Sequence, residues 1–414
     1  MTFRPIHYYL IGTASWFSGF AIQGVMFAWL VAMVLHETPE MVGIAQMTLL
    51  LPGTVLILLG GSYADRFGGR RVAIIGQCVA VCAVGFLTFV VATDALSTRM
   101  MLTYALIMGC AQAFVTPARD GLLNQVAEGR VQRTVMLASF VQFGMQMIGF
   151  LIASLADRLG AVSILAAQAV ILCSGIIAYW WIKDAPRDPG RSTRLMHSLK
   201  EGARTVFSSS SMRMVMVQNV AMAVFFMGSY IVTMPILLRD VFAGSARDLA
   251  FMNVANSLGL VVTILLLLRI GDIHRQGRAL LLAQGVGAAV LAGAGYTGNY
   301  LLFIFVLFIW GVCGGVAMTM SRTIMQVQAP ENQRSRVMSF YALSFMGAGP
   351  VGALVCGYLV ELLGPQMALL VASCGMLSVM LIVAFGSALW ALEGHVQPAA
   401  TAEGSIASAG ARDG

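Results

Sequence analysis

Charge is what this chain has least of. Asp, Glu, Lys and Arg make up 10% of its 414 residues, against about 25% in a water-soluble domain. No acidic residue stands near the middle of any long apolar run; Asp120, Asp157, Asp240 and Glu361 lie at or just beyond run ends. The five histidines (His7, His36, His197, His274, His395) are scattered over termini and loops, away from any carboxylate cluster. Catalysis needs positioned nucleophiles, acid–base pairs or metal ligands. This pattern supplies none, so an enzyme is not expected and neither a cofactor nor a metal is implied. The seven cysteines (Cys78, Cys82, Cys110, Cys173, Cys313, Cys356, Cys374) all fall inside apolar runs. Cys78 and Cys82 are one helical turn apart, but no further ligand joins them, so the set reads as small packing residues without a disulfide framework.

What the chain has in excess is apolar surface, at 59% of residues. A fold of this length cannot hide that much from water, so the bilayer must be part of its solvent. A membrane span takes about 20 apolar residues. Twelve candidates lie near 8–35, 40–63, 72–93, 99–117, 134–156, 161–182, 213–238, 249–269, 279–297, 300–321, 336–362 and 366–390. They are too long and too uniformly apolar for barrel strands. The first is too long for a signal-peptide core and lacks a cleavage site, so it reads as a retained span. The expected fold class is an all-α membrane protein of twelve transmembrane helices.

Basic residues orient it. With the N-terminus in the cytoplasm, 21 of the 25 Lys and Arg lie on the cytoplasmic side, and only Arg99, Arg158, Arg239 and Arg247 lie outside. This bias places both termini in the cytoplasm and the protein in the cytoplasmic membrane. The net charge of +7 is therefore a topology signal and a contact with anionic lipid, and nucleic acid is not an expected partner.

The chain divides in two. The expected units are 1–182, a linker over 183–212, 213–390, and a disordered tail over 391–414 rich in Ala, Gly and Ser. Pro186, Pro189 and Gly190 break the linker, and Leu195 to Phe207 can form a short amphipathic surface helix. Arg119, Gln125, Glu128 and Arg133 recur as Arg322, Gln328, Glu331 and Arg336, each 203 positions later, between the fourth and fifth spans of each half. Asp65 and Arg71 recur more weakly as Asp272 and Arg278. Four matches at one offset point to an internal repeat. Two six-helix bundles related by a pseudo-two-fold axis along the membrane normal are a transporter architecture, with the substrate site at their interface.

Residues Gly61-Ser-Tyr-Ala-Asp65-Arg66-Phe-Gly68-Gly-Arg70-Arg71 form a charged turn between the second and third spans. This run, the span count and the central linker resemble the major facilitator superfamily of transporters over nearly the whole chain. Phe114-Val-Thr-Pro-Ala-Arg-Asp and Gln326-Val-Gln-Ala-Pro-Glu are most similar to the drug-exporter branch that includes the enterobactin exporter, and also fit the related lysophospholipid transporters. The chain departs from the family in three places. Tyr63 stands where the signature has Leu, and Gly69 where it has a basic residue that pairs with an acid matched here by Asp120. The Gly-Pro bend of the fifth span is absent, that span reading Gly144-Met-Gln-Met-Ile-Gly149, while Gly347-Ala-Gly-Pro350 falls in the eleventh. Without a basic residue at 69, Arg66 or Arg70 would have to pair with Asp120.

The resemblance implies an inner gate. A carboxylate at Asp65 facing the N-terminus of the eleventh span gains about 0.3–1 kcal/mol from the helix dipole. Arg119 and Arg322 are expected to pair with Asp120, Glu128, Glu331 or Asp65, to meet an anionic substrate group, or to snorkel to headgroups. Arg336 belongs to the same loop set. Any proton site lies near an interface, with Asp65, Asp120, Glu128 and Glu331 as inner candidates. The span interiors carry uncharged polar groups instead: Gln23, Gln46, Gln112, Gln142, Gln146, Gln218, Asn219, Asn253, Asn256 and Gln284. Amides are costly in lipid, so they are expected to face neighbouring helices or a central cavity. Gln142 and Gln146 share a face. With Tyr230, Tyr341 and Phe345 they suit an amphipathic, largely uncharged ligand. Pro52, Pro235 and Pro350 are expected to kink their spans. The 27 methionines read mainly as membrane-compatible packing, and the 44 glycines fit close helix crossings.

The leading expectation is a monomeric secondary transporter exporting lipophilic small molecules by alternating access, with proton antiport as its drive. The alternative is a lysophospholipid flippase without proton coupling. A membrane receptor or scaffold is the reading from another class, separated from both by ligand binding without flux.

Overall fold

The structure is a computed structural model that describes residues 4–127, 131–183, 194–271, 273–330 and 333–391; within these, the side chains of residues 58, 65, 124, 131–133, 194–199, 335, 388 and 391 lie outside the description. The expected carboxylates Glu128, Glu331 and Asp272 also lie outside it. The described chain is helical. The first half holds α1 (Pro5–Trp29), α2 (Pro39–Phe67), α3 (Gly69–Ala92), α4 (Thr98–Val126), α5 (Val131–Ala153), the short α6 (Ala156–Leu159) and α7 (Ala161–Trp180). Next comes α8 (Arg194–Ser208), in the linker. The second half holds α9 (Ser210–Ala221), α10 (Met234–Phe242), α11 (Ala246–Ile270), α12 (Gln276–Ala294), α13 (Tyr300–Gln328) and α14 (Arg334–Gly386), closed by a 3-10 turn at Ala388–Ala391.

Among the described residues, eleven stretches are long and apolar enough to cross a membrane. The longest contains two spans, because Gly364 interrupts α14 at φ 78°. The total is therefore twelve, arranged as two six-helix bundles.

Local chemistry sets the breaks. Thr38 caps α2 by accepting from Met41 N at 3.3 Å, and Asn299 caps α13 by accepting from Leu301 N at 2.8 Å. Gly68 ends α2 at φ 93°, a backbone region that a side chain disfavours. Pro235 has no N–H to continue a helix. The chain accommodates it by joining α9 to α10 through two π-helical turns, Met222–Met227 and Ser229–Thr233. A third π-helical turn, Leu30–Val34, ends α1.

The halves meet along a seam where α2 lies on α14 and α11 lies on α1 and α5. The buried core crosses this seam. Ala21, Val25 and Phe150 pack with the second half's core, and Val232, Ile236 and Ala353 pack with the first half's. The end of the bundle near the termini is called the inner end below, and the opposite end the outer end.

The linker helix α8 does not lie free on a surface. It docks on the inner end of α14, where Glu201 pairs with Arg336 and Thr205 with Gln333. Gly202 sits so close that a Cβ there would lie 2.6 Å from the Arg336 carbonyl. The cysteines also differ from simple packing residues. Cys313 and Cys356 are buried, but Cys78, Cys82, Cys173 and Cys374 are exposed on the bundle perimeter.

Candidate functional site

A helix packed on one side buries at least one residue per turn. In α5 no residue from Ser139 to Ile148 is buried, and in α14 none from Met338 to Gly347. Each run is nearly three turns long, and both give way to buried residues toward the outer end, beginning at Gly149 and Ala348. Both helices are therefore packed less closely over these inner stretches than farther out. Gln142 and Gln146 stand in one run, and Tyr341 and Phe345 stand 199 positions later in the other.

The remaining polar groups fall into two sets. Gln112, Tyr230, Asn253 and Asn256 keep partial exposure. Tyr230 donates to Asn253 Oδ1 at 2.7 Å and packs on Trp310, its ring centroid 5.7 Å away. Tyr341 shares a hydrogen bond with Ser321 at 3.0 Å. By contrast Gln23, Gln46, Gln218, Asn219 and Gln284 are buried. Asn219 donates to Ser344 Oγ at 2.7 Å and so ties α9 to α14. Two further buried amides, Gln77 and Gln168, are structural. Gln77 donates to Ser15 Oγ and the Leu172 carbonyl, both at 3.0 Å, and Gln168 to the Gly19 carbonyl at 3.0 Å.

At the inner ends, the expected gate residues separate. Arg119 is buried, with its guanidinium 4.4 Å from the centre of the Phe17 ring and 3.3 Å from Asp120 Oδ1. Arg322, its counterpart in the repeat, is exposed. Arg66 lies over Phe67 at 5.4 Å. Arg70 donates to the Trp180 carbonyl at 2.8 Å, Arg71 is exposed, and Gly61 makes ordinary contact with Pro117. The α2 backbone carries Asp65 one turn before its C-terminus. Gly69 has a packing reason for departing from the family pattern: a Cβ there would lie 2.8 Å from the Ala118 carbonyl. The close approach of α3 to α4 leaves no room for a basic side chain, and Arg119 is the arginine that reaches Asp120.

Sequence reasoning passed over the outer end, where the halves are joined by charge. Asp157 of the first half accepts from Arg247 N at 2.9 Å and Ala246 N at 3.3 Å, capping α11 in the second. Those N–H groups begin a helix and have no intrahelical partner, and a carboxylate there also meets the favourable end of the helix dipole. In the reverse direction, Arg239 of the second half donates to the carbonyls of Ala32 at 2.9 Å and Glu37 at 3.0 Å in the first. The π-helical turn supplies one of these acceptors. Glu37 N reaches back to Val31 O rather than to Ala32 O, which leaves Ala32 O for the guanidinium. Beside this pair Gly43 crosses Gly357, and a Cβ on either would come within 3.0 Å of the other's Cα. The available signals were that Arg239 is one of four outer basic residues and that Asp157 is one of few acids at a span end. The partner of each lies 80 or more residues away, in the other half.

Comparison with known proteins agrees with this architecture. The family model described as transmembrane secretion effector matches residues 2–404. The MFS-type transporter YfiS of Bacillus subtilis (strain 168) is 26% identical over 373 residues, covering 86% of this chain and 87% of that protein. The multidrug efflux pump Tap of Mycolicibacterium fortuitum is 24% identical over 386 residues, covering 89% and 92%. Among solved structures, a variant of the nucleoside transporter NupG aligns with a TM-score of 0.74 at 13% identity over 91% of this chain and 98% of its own. A bacterial homolog of the human lysosomal transporter Spinster, in an inward-facing and unoccupied conformation, aligns with a TM-score of 0.70 at 12% identity, covering 94% and 97%.

Proposed function

Because this chain belongs to the transmembrane secretion effector family of major facilitator transporters, we propose that it exports lipophilic or amphipathic small molecules by alternating access. The observation that carries the reading is the pairing of loosely packed inner segments of α5 and α14 with an outer end where charged groups join the halves. The substrate enters a central cavity from the inner side and rests against Gln142, Gln146, Tyr341 and Phe345. These groups offer hydrogen bonds and aromatic surface but no ionised partner, which suits a largely uncharged ligand. The two halves then rock about the seam. The outer latch opens, and the inner ends close around the charged turn at Asp65 to Arg71. The efflux pump Tap, similar along most of its length, supports export of drug-like compounds.

Proton influx is the proposed drive. Asp157 is the carboxylate that ties the two halves from the outer side. Arg158, Arg239, Asp240 and Arg247 share this end of the molecule.

The test uses inside-out vesicles with an acid-inside pH gradient. A fluorescent lipophilic dye should accumulate, a protonophore should abolish accumulation, and the double variant Gln142→Ala/Gln146→Ala should lower it at sub-saturating dye. Flux indifferent to the protonophore overturns proton coupling. Saturable lysophospholipid movement without a gradient favours the flippase, and dye binding without flux favours a receptor.

A further inference from the structure

Two grooves on the bundle perimeter stand at repeat-equivalent places, away from the seam. Ile75, Cys78, Val79 and Cys82 of α3 line the first, of about 440 Å³. The residues 207 positions on, Leu282, Gly285, Val286 and Ala289 of α12, line the second, of about 560 Å³, opposite Met380 and Leu381 of α14. Gly285 gives this second groove its depth, since a Cβ there would already lie 3.0 Å from the Met380 methyl.

An arginine–tryptophan clamp stands at the inner end of each helix pair. Arg70, at the start of α3, donates to the Trp180 carbonyl at 2.8 Å and lies 5.6 Å from the ring centre. Arg278, at the start of α12, donates through Nε to the Trp390 carbonyl at 3.3 Å and lies 5.4 Å from that ring. Trp390 itself lines the second groove. The carbonyl engages one of the five N–H donors of Arg278. The N-cap residue of α12, Arg275, supplies no side-chain acceptor to the first turn, so the helix start keeps its affinity for an anion.

Dimensions match a lipid. From Leu281 to Ala289 the groove wall rises about 12 Å at 1.5 Å per residue. Half of the ~30 Å hydrocarbon core is about 15 Å. An apolar trough one leaflet deep, with a cation and a helix N-terminus at its surface end, complements a phospholipid with one chain in the trough and its phosphate at Arg278.

We infer that the α12/α14 groove is a binding site for an anionic phospholipid of the leaflet at the inner end. The occupant is lipid rather than cargo because the groove faces the perimeter, is almost wholly apolar, and has the Arg278 guanidinium beside its Trp390 wall at headgroup height. The inference stands on this geometry and does not depend on the substrate or on proton coupling.

The test is quenching of Trp390 fluorescence in full-length protein reconstituted into phosphatidylcholine vesicles. The vesicles are doped with dibrominated-acyl phosphatidylglycerol or dibrominated-acyl phosphatidylcholine. Subtracting the signal of Trp390→Phe isolates Trp390. The glycerol lipid should reach half-quenching at about one-fifth the mole fraction of the choline lipid, the preference one basic residue gives at a membrane surface. Arg278→Gln should erase the preference, Arg278→Lys should keep it, and Gly285→Leu should lower quenching by both lipids. Equal quenching of the wild type by the two lipids overturns the inference. So does a preference that survives Arg278→Gln, or displacement of the brominated lipid by a transported dye. Arg278→Lys separates loss of charge from loss of fold.

Discussion

Removing Asp157 should open the outer end. Its carboxylate accepts two backbone N–H groups at the start of α11, at 2.9 and 3.3 Å. A hydrogen bond to a charged group contributes about 1.5–3 kcal/mol when well made, and a charge at a helix terminus about 0.3–1 kcal/mol. One of the two bonds is long and the other is exposed, so solvent takes back much of this. The latch is then worth about 1–2 kcal/mol, a factor of roughly 5–30 in the ratio of outer-open to outer-closed molecules. The reporter is a cysteine at Ala353, fully buried at the outer seam, in a background with the seven native cysteines replaced. Asp157→Ala should raise its labelling rate by an impermeant maleimide from the outer face by about 5–30-fold. Asp157→Asn keeps an acceptor without the charge and should give an intermediate rise. Arg239→Ala removes the reciprocal contact, which touches other groups, so its effect should multiply with that of Asp157→Ala. Labelling unchanged within about twofold in Asp157→Ala, with normal folding and membrane insertion, refutes the latch and the free-energy reasoning behind it.

Gly43→Val should wedge the outer seam, because a Cβ there meets the Ala353 carbonyl at 2.7 Å; outer labelling should rise and efflux fall. Gly69→Lys, which restores the family's basic residue, should lower the unfolding temperature of purified protein by several degrees. Its Cβ runs into the Ala118 carbonyl, and overpacking costs about 1–3 kcal/mol. Gln142→Ala and Gln146→Ala should each raise the KM for efflux about fivefold, the scale of one hydrogen bond, with expression unchanged because both are half-exposed. Arg119→Lys should impair transport, since an ammonium cannot reproduce the planar stacking over Phe17, while Arg322→Lys should leave transport within about twofold of wild type.

The spans were legible because a bilayer imposes an apolar length that a sequence must display. Two breaks were legible for equally local reasons, the charged turn over Gly61 to Arg71 and the proline at Pro235. The loosely packed face of α5 was partly legible, since Gln142 and Gln146 announce a shared face by their spacing. What the sequence withheld depends on which far residue arrives. Gln77 and Gln142 are both glutamines on apolar helices, yet Gln77 is consumed by Ser15 and Leu172 while Gln142 stands in an unburied run. Composition cannot separate them, because the difference lies in the neighbouring helix. The π-helical turns were hidden for a related reason. A proline marks a break without saying that π-helical turns will absorb it, and the turn at Leu30–Val34 carries no proline at all. The Asp157 latch joins a carboxylate to backbone N–H groups, and backbone donors leave no signature in a sequence.

Where the repeat is kept and where it is broken divides the molecule by role. The unburied runs of α5 and α14 match in length and position, and the Arg70–Trp180 and Arg278–Trp390 clamps match in chemistry. Symmetry is therefore kept in the loosely packed inner segments and at the perimeter clamps. It is broken at other charged groups. Arg119 is buried where Arg322 is exposed, and at the outer end a carboxylate reaches one way across the seam while a guanidinium reaches the other. The linker breaks it again, because α8 is pinned to α14 through Glu201 and Arg336. The charged contacts that differ between the halves therefore lie at the two ends of the seam, Asp157 on the N-terminus of α11 at the outer end and Arg119 over Phe17 at the inner end.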